Sequence, residues 1–122
     1  MSTVILVIDD LASHRQMIRF AIQLPGRNIL EAETIARAVL LTDGRKIDLL
    51  IAGCNDDGSV CSEKIRHFCA LRRMETLPVI ITSHKYVSPD TLADLPVGPF
   101  SWLKKPFRIS EIQSVVNHSL SD

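Results

Sequence analysis

Two adjacent aspartates, Asp9 and Asp10, follow directly on the apolar run Thr3 to Ile8. Neighbouring carboxylates at the end of a buried strand suit a hard divalent cation such as Mg²⁺, which takes a few carboxylates and keeps several waters. A solvated loop leading into a helix, with Asp10 or Ser13 as the N-cap, explains the pair equally well on spacing alone. Ser83 ends the run Val79-Ile80-Ile81-Thr82, and Lys105 stands directly before Pro106. A hydroxyl and an ammonium on neighbouring strand ends suit the oxygens of a phosphoryl group. Taken alone, Lys105 reads as a surface lysine. The four histidines, His14, His67, His84 and His118, are scattered without ligand spacing, and His84 reads as a solvated loop residue. Cys54, Cys61 and Cys69 match no zinc pattern and read as reduced, packing cysteines. No glycine occurs from Leu6 to Gln16, so no phosphate-cradling loop follows the first run, which counts against a nucleotide or flavin binder.

These candidate residues need elements to hold them together. Thr3–Ile8, Ile47–Ala52 and Pro78–Ser83 are short, β-branched-rich and uninterrupted by polar alternation, as expected of strands buried on both faces. Shorter strands are expected at Asn28–Ala32 and Phe100–Leu103. Helical spacing runs through about Ser13–Leu24, stopped by Pro25-Gly26, and through Thr34–Leu41, with Thr34 as cap and Asp43-Gly44 as stop. It returns at about Ser59–Met74, where Val60, Ile65, Phe68, Cys69 and Leu71 share a face, and at Ser110–Leu120, with Ile112, Val115 and Val116. Ser88-Pro89-Asp90 marks a short helix reaching about Leu95. Gly53–Gly58 reads as a polar turn. Five strand–helix alternations imply an α/β fold: a doubly wound, five-stranded parallel sheet with helices on both faces, flavodoxin-like. In such sheets ligands sit at the carboxyl ends of the strands, where Asp9, Asp10, Gly53, Ser83 and Lys105 all fall.

The chain has 122 residues, 46% hydrophobic and 23% charged, with 14 basic side chains against 14 acidic. That length fits one domain, residues 1–122, with a core that needs no staples. The charge balance counts against nucleic-acid or anionic-membrane binding, and no apolar run is long enough to cross a bilayer. The N-terminal run lacks a preceding basic region and does not read as a signal peptide, so a cytoplasmic location is expected.

Taken together, the pieces VILVIDD, IDLLIAG, PVIITSH and WLKKPF, in this order and spacing, resemble the receiver domain of two-component response regulators over essentially the whole chain. The resemblance implies that Asp9 and Asp10 help hold Mg²⁺, and that Ser83 is the hydroxyl that senses a phosphoryl group. It makes Lys105 the lysine that pairs with that group, and gives a cis bond before Pro106. Trp102 falls at the rotating aromatic that reports activation. One departure stands out. Counted from Asp48, the position of the phosphoacceptor aspartate holds Gly53, and the loop that follows is shortened. Glycine offers no nucleophile for an acyl phosphate.

The expectation is therefore a degenerate, non-enzymatic receiver that needs no cofactor and signals by protein interaction without phosphorylation. Lys105, lacking an acceptor, should turn toward Asp9 or Asp10. Partner binding is expected around Tyr86, Trp102 and Phe107, with packing the more natural role for Phe107. Expected partners are signalling proteins, a histidine kinase or an output domain among them, and homodimerisation stays open. The alternative is a phosphorylatable regulator that uses Mg²⁺ and a shifted acceptor, Asp56 or Asp57. Nothing after the last helix reads as an output domain, which fits a stand-alone domain and a piece of a larger regulator alike.

Overall fold

The computed structural model of the chain describes residues 2–55, 58–72, 76–94 and 97–121, and within them all side chains except those of 58–61, 72, 89 and 91. The strands are β1 (Thr3–Ile8), β2 (Arg27–Ala32), β3 (Leu49–Cys54), β4 (Val79–Ser83) and β5 (Phe100–Lys104). The helices are α1 (Ala12–Ile22), α2 (Ile35–Leu41), α3 (Gly58–Arg72) and α4 (Ile109–Leu120), and one 3-10 turn spans Pro89–Leu92. The sheet is wholly parallel in the order β2-β1-β3-β4-β5. This is the expected doubly wound architecture.

Alternation along the strands splits the core in two, because successive side chains leave a strand on opposite faces. Leu6, Ile8, Leu50, Ala52, Val79 and Ile81 pack with Ala38 of α2 and with Ile65, Phe68 and Cys69 of α3. Ile5, Val7, Leu49, Ile51 and Ile80 face the other way, onto Ile18, Ala21 and Ile22 of α1 and Ile112 and Val116 of α4. Both faces of the central strands are buried, which is why their sequences show no polar alternation. Among the described residues no helix is long and apolar enough to cross a membrane.

Several boundaries differ from the sequence reading. Strand β3 begins at Leu49, not Ile47, and runs through Gly53 and Cys54, which pair in register with Thr82 and Ser83 of β4. The strand therefore continues two residues past the apolar run, because the ladder with β4 extends that far. Helix α1 has Leu11 as N-cap residue, with no side-chain bond at the cap, so neither Asp10 nor Ser13 caps it. The Asp9 carboxylate instead accepts from the Leu11 N–H, at 2.9 Å. Thr34 does cap α2, accepting from Arg37 N. Ser88 accepts from Asp90 N as expected, but the element closes after one 3-10 turn. Leu71, placed on the inner face of α3 by its spacing, is half exposed. Of the cysteines, Cys69 is free and buried, whereas Cys54 is disulfide-bonded and not reduced as expected.

Candidate functional site

The register explains why the acidic pocket forms. Ile8 and Ala52 are paired, so one step further along the adjacent strands Asp9 stands beside Gly53. Asp9 continues the parity of Val7, and its backbone N–H donates to Ala32 O at 3.0 Å. Lys105 follows directly on β5, where its N–H donates to Ser83 O at 2.7 Å. That backbone bond delivers the lysine side chain to the same edge.

Lys105 is 3% exposed and Asp9 1%. The Lys105 ammonium lies 2.7 Å from Asp9 Oδ2, as expected of a lysine turned toward the acidic pair, and Asp9 is its partner in preference to Asp10. Its other two protons go to Asn55 Oδ1 at 2.8 Å and to His14 Nδ1 at 2.7 Å. A lysine can only donate, so the His14 nitrogen facing it is the acceptor in this contact. Burial pushes the Asp9 carboxyl upward, but the Lys105 ammonium, the Leu11 N–H and the Asn55 amide outweigh it and hold the group below its usual range. Asp9 is therefore a buried carboxylate with a buried counter-ion and full hydrogen bonding, the condition under which such a pair is tolerated.

Gly53 sits directly under this carboxylate. A methyl group built on it would come within 1.9 Å of Asp9 Oδ2 and 2.9 Å of Asp9 Cβ. The space that a side chain at 53 would enter is filled by Asp9. Asp10 is exposed at the rim. Sequence reading missed His14, read as one of four scattered histidines, and Asn55, whose Nδ2 donates to Asp9 Oδ1 at 2.9 Å and also to Asp10 Oδ1. The only signal of Asn55 in the sequence is a short amide two residues past Gly53, on an edge that collects acids.

Ser83 and Trp102 meet, but not at the acidic pocket. Trp102 Nε1 donates to Ser83 Oγ at 2.8 Å, and Ser83 Oγ donates to Lys85 O. Tyr86 packs edge-on against Trp102, ring centroids 5.0 Å apart and planes at 85°. Phe107, grouped with these two aromatics by sequence proximity, packs on the opposite face of the sheet, against the α1–α4 core. Its packing role is as expected, and it is no part of the aromatic pair. The Lys105-Pro106 bond is cis, as the resemblance implied, and so is Gly98-Pro99. Asp56 and Asp57, the alternative acceptors, lie outside the described residues.

The residues present do not fit Mg²⁺ well. Both Asp9 oxygens are already taken by donors, and among the described residues no three His, Cys, Asp or Glu side chains gather as metal ligands do.

The chain is 34% identical over 112 residues to the KDP operon transcriptional regulatory protein KdpE of Escherichia coli, a match covering 92% of this chain and 48% of that protein. It belongs to the response-regulator receiver domains. A second relative, the phosphate regulon transcriptional regulatory protein PhoB of Pseudomonas aeruginosa, is 30% identical over 108 residues, covering 88% of this chain and 47% of that protein. The receiver thus spans about half the length of the curated relatives it matches. No protein-family model matches it. Among solved structures, Vibrio cholerae chemotaxis protein CheY4 superposes with a TM-score of 0.80 at 20% identity, covering 98% of this chain and all of that one. A response regulator from Thermotoga maritima gives 0.77 at 21%, covering both chains completely. At such identities these two speak for the shared receiver fold.

Proposed function

We propose that this receiver works without aspartyl phosphorylation, as a protein-interaction module in a phosphorelay-type pathway. The observation that carries the reading is Gly53 beneath the Asp9 carboxylate, with no room for a Cβ. Where the family likeness puts the nucleophile there is no nucleophile, and the nearest carboxylate is buried and saturated by Lys105, Leu11 and Asn55. An ammonium paired with Asp9 is unavailable to a phosphoryl oxygen. Ser83 is likewise engaged, between Trp102 and Lys85. Asp9, Lys105 and Ser83, the groups the family likeness ties to a phosphoryl ligand, each have an internal partner, and on this reading the β4–β5 edge presents one surface. Tyr86, 64% exposed beside Trp102, is the centre of that surface. The partner is a signalling protein of the cytoplasm, a histidine kinase or the output domain of a longer regulator being the classes that suit a receiver.

Intact mass after incubation with Mg²⁺ and acetyl phosphate tests the reading, with Trp102 fluorescence followed in the same tube. The expected result is no adduct and no change in emission. A hydroxylamine-labile phosphoryl adduct overturns it, and peptide mapping to Asp56 or Asp57 would establish the shifted acceptor.

A further inference from the structure

The space between the Asp9 and Asp10 carboxylates is occupied by part of the chain itself. Asn55 Nδ2 donates to an oxygen of each acid, so one amide group bridges both. At its other end Asn55 Oδ1 accepts from the Lys105 ammonium at 2.8 Å. The side chain thus touches both acids and the buried cation at once. Two carboxylates brought together repel, and something must hold them there. In a metal site that task falls to a divalent ion; here two N–H donors of an amide and one ammonium do it.

We infer that Asn55 is an internal substitute for the divalent cation, a positioning residue that holds the acidic pair closed, and that this receiver takes no Mg²⁺ at that site. The inference rests on the reading of Gly53 as a vacated acceptor position, because charge balance then points the same way. Three carboxylates would neutralise a divalent ion together with Lys105. With glycine at 53 only two remain, and metal entry would leave a net positive charge around a lysine that is 3% exposed. Mg²⁺ also demands near-ideal octahedral oxygen ligation and sheds its waters reluctantly. Two acids that already hold an amide between them offer it poor terms.

Titration of the full chain with MgCl₂, followed by the amide NMR shifts of Asp9, Asp10 and Asn55, tests this against NaCl of equal ionic strength. Wild type is expected to show no saturable shift beyond the salt control. Asn55→Asp, nearly isosteric, exchanges the bridging amide for a third carboxylate and is expected to gain saturable Mg²⁺ binding, tighter than wild type by roughly tenfold or more. Saturable wild-type binding at these residues overturns the inference. So does a folded Asn55→Asp variant that gains nothing. The wild-type titration stands on its own if that variant fails to fold. Mg²⁺ binding without a phosphoryl adduct would defeat this inference and leave the proposed function standing, whereas an adduct defeats the proposed function by itself.

Discussion

Gly53 is required by space and not by backbone geometry, since its φ lies outside the left-handed region in which glycine is favoured. The obstacle to any side chain is the Asp9 carboxylate, and that group cannot simply swing aside. Moving it would break its bonds to Leu11 N and Asn55 and would strip the buried Lys105 ammonium of its counter-ion. Gly53→Ala is therefore expected to lose roughly 1–3 kcal/mol through overpacking, read in urea as a lower midpoint with an unchanged slope. Wild-type stability in that variant would show that Asp9 turns away freely and that the pocket is softer than its hydrogen bonds suggest. On the proposed reading of position 53, the same contact makes Gly53→Asp a poor route to phosphorylation, because the introduced acid would meet the one already there.

Among the elements, β3 carries the most consequence, for it lies at the centre of the sheet with α2 and α3 on one face and α1 and α4 on the other. Leu50 is fully buried in the α2–α3 core. Truncation there leaves a cavity between packed layers, and Leu50→Ala is expected to cost about 2–5 kcal/mol. Leu40 on α2, 71% exposed, offers the contrast: Leu40→Ala should stay within about 0.5 kcal/mol of wild type. Denaturation of the two variants side by side checks the pair, and similar losses would contradict the layer assignment. The segment after β4 shows how little an initiation signal does without packing. Ser88 caps and Pro89 starts the turn, yet among the described residues Leu92 is its one fully buried apolar anchor, and the turn closes at Ala93. Asp94 then reaches Arg66 of α3, an exposed pair that contributes little to stability.

At the scale of the whole molecule, the pocket makes stability depend on acid. The Asp9 carboxyl is held below its unfolded value by Lys105, Leu11 and Asn55, against the upward push of burial. A carboxyl depressed on folding contributes stability that is fully present above its unfolded pKa, about 3.9, and is lost as pH falls through the folded value. Unfolding free energy should therefore hold steady in mild acid and decline below about pH 4. Asp94, lowered by Arg66, titrates in the same window, so Asp9→Asn isolates the pocket. That variant is expected to be less stable at neutral pH and to show a shallower acid decline. An unchanged decline would place the acid sensitivity elsewhere. On the proposed reading, the molecule as a whole is a receiver biased toward one state by the internal partners of Asp9, Lys105 and Ser83.

The uninterrupted apolar runs TVILVI, LLIA and VIIT, each followed by a helical period, determined the parallel sheet and its two-faced core, because a strand without polar alternation must be covered on both sides. The stop at Pro25-Gly26, where Gly26 takes φ +82°, and the Thr34 cap were equally local and equally legible. So was the glycine at the β3 end, and with it the expectation that Lys105 would turn to an acid of the first strand. The disulfide at Cys54 and the separation of Phe107 from Trp102 were not legible, since each depends on which side of the sheet a side chain leaves and what meets it there. Nor was the bridge made by Asn55, for its partners stand 46 and 45 residues away in the chain. Periodicity reports the burial of a residue's own element; a hydrogen bond across the pocket exists only once the register of β1 and β3 has set Asp9 over Gly53 and left the next loop one side chain's reach from both acids.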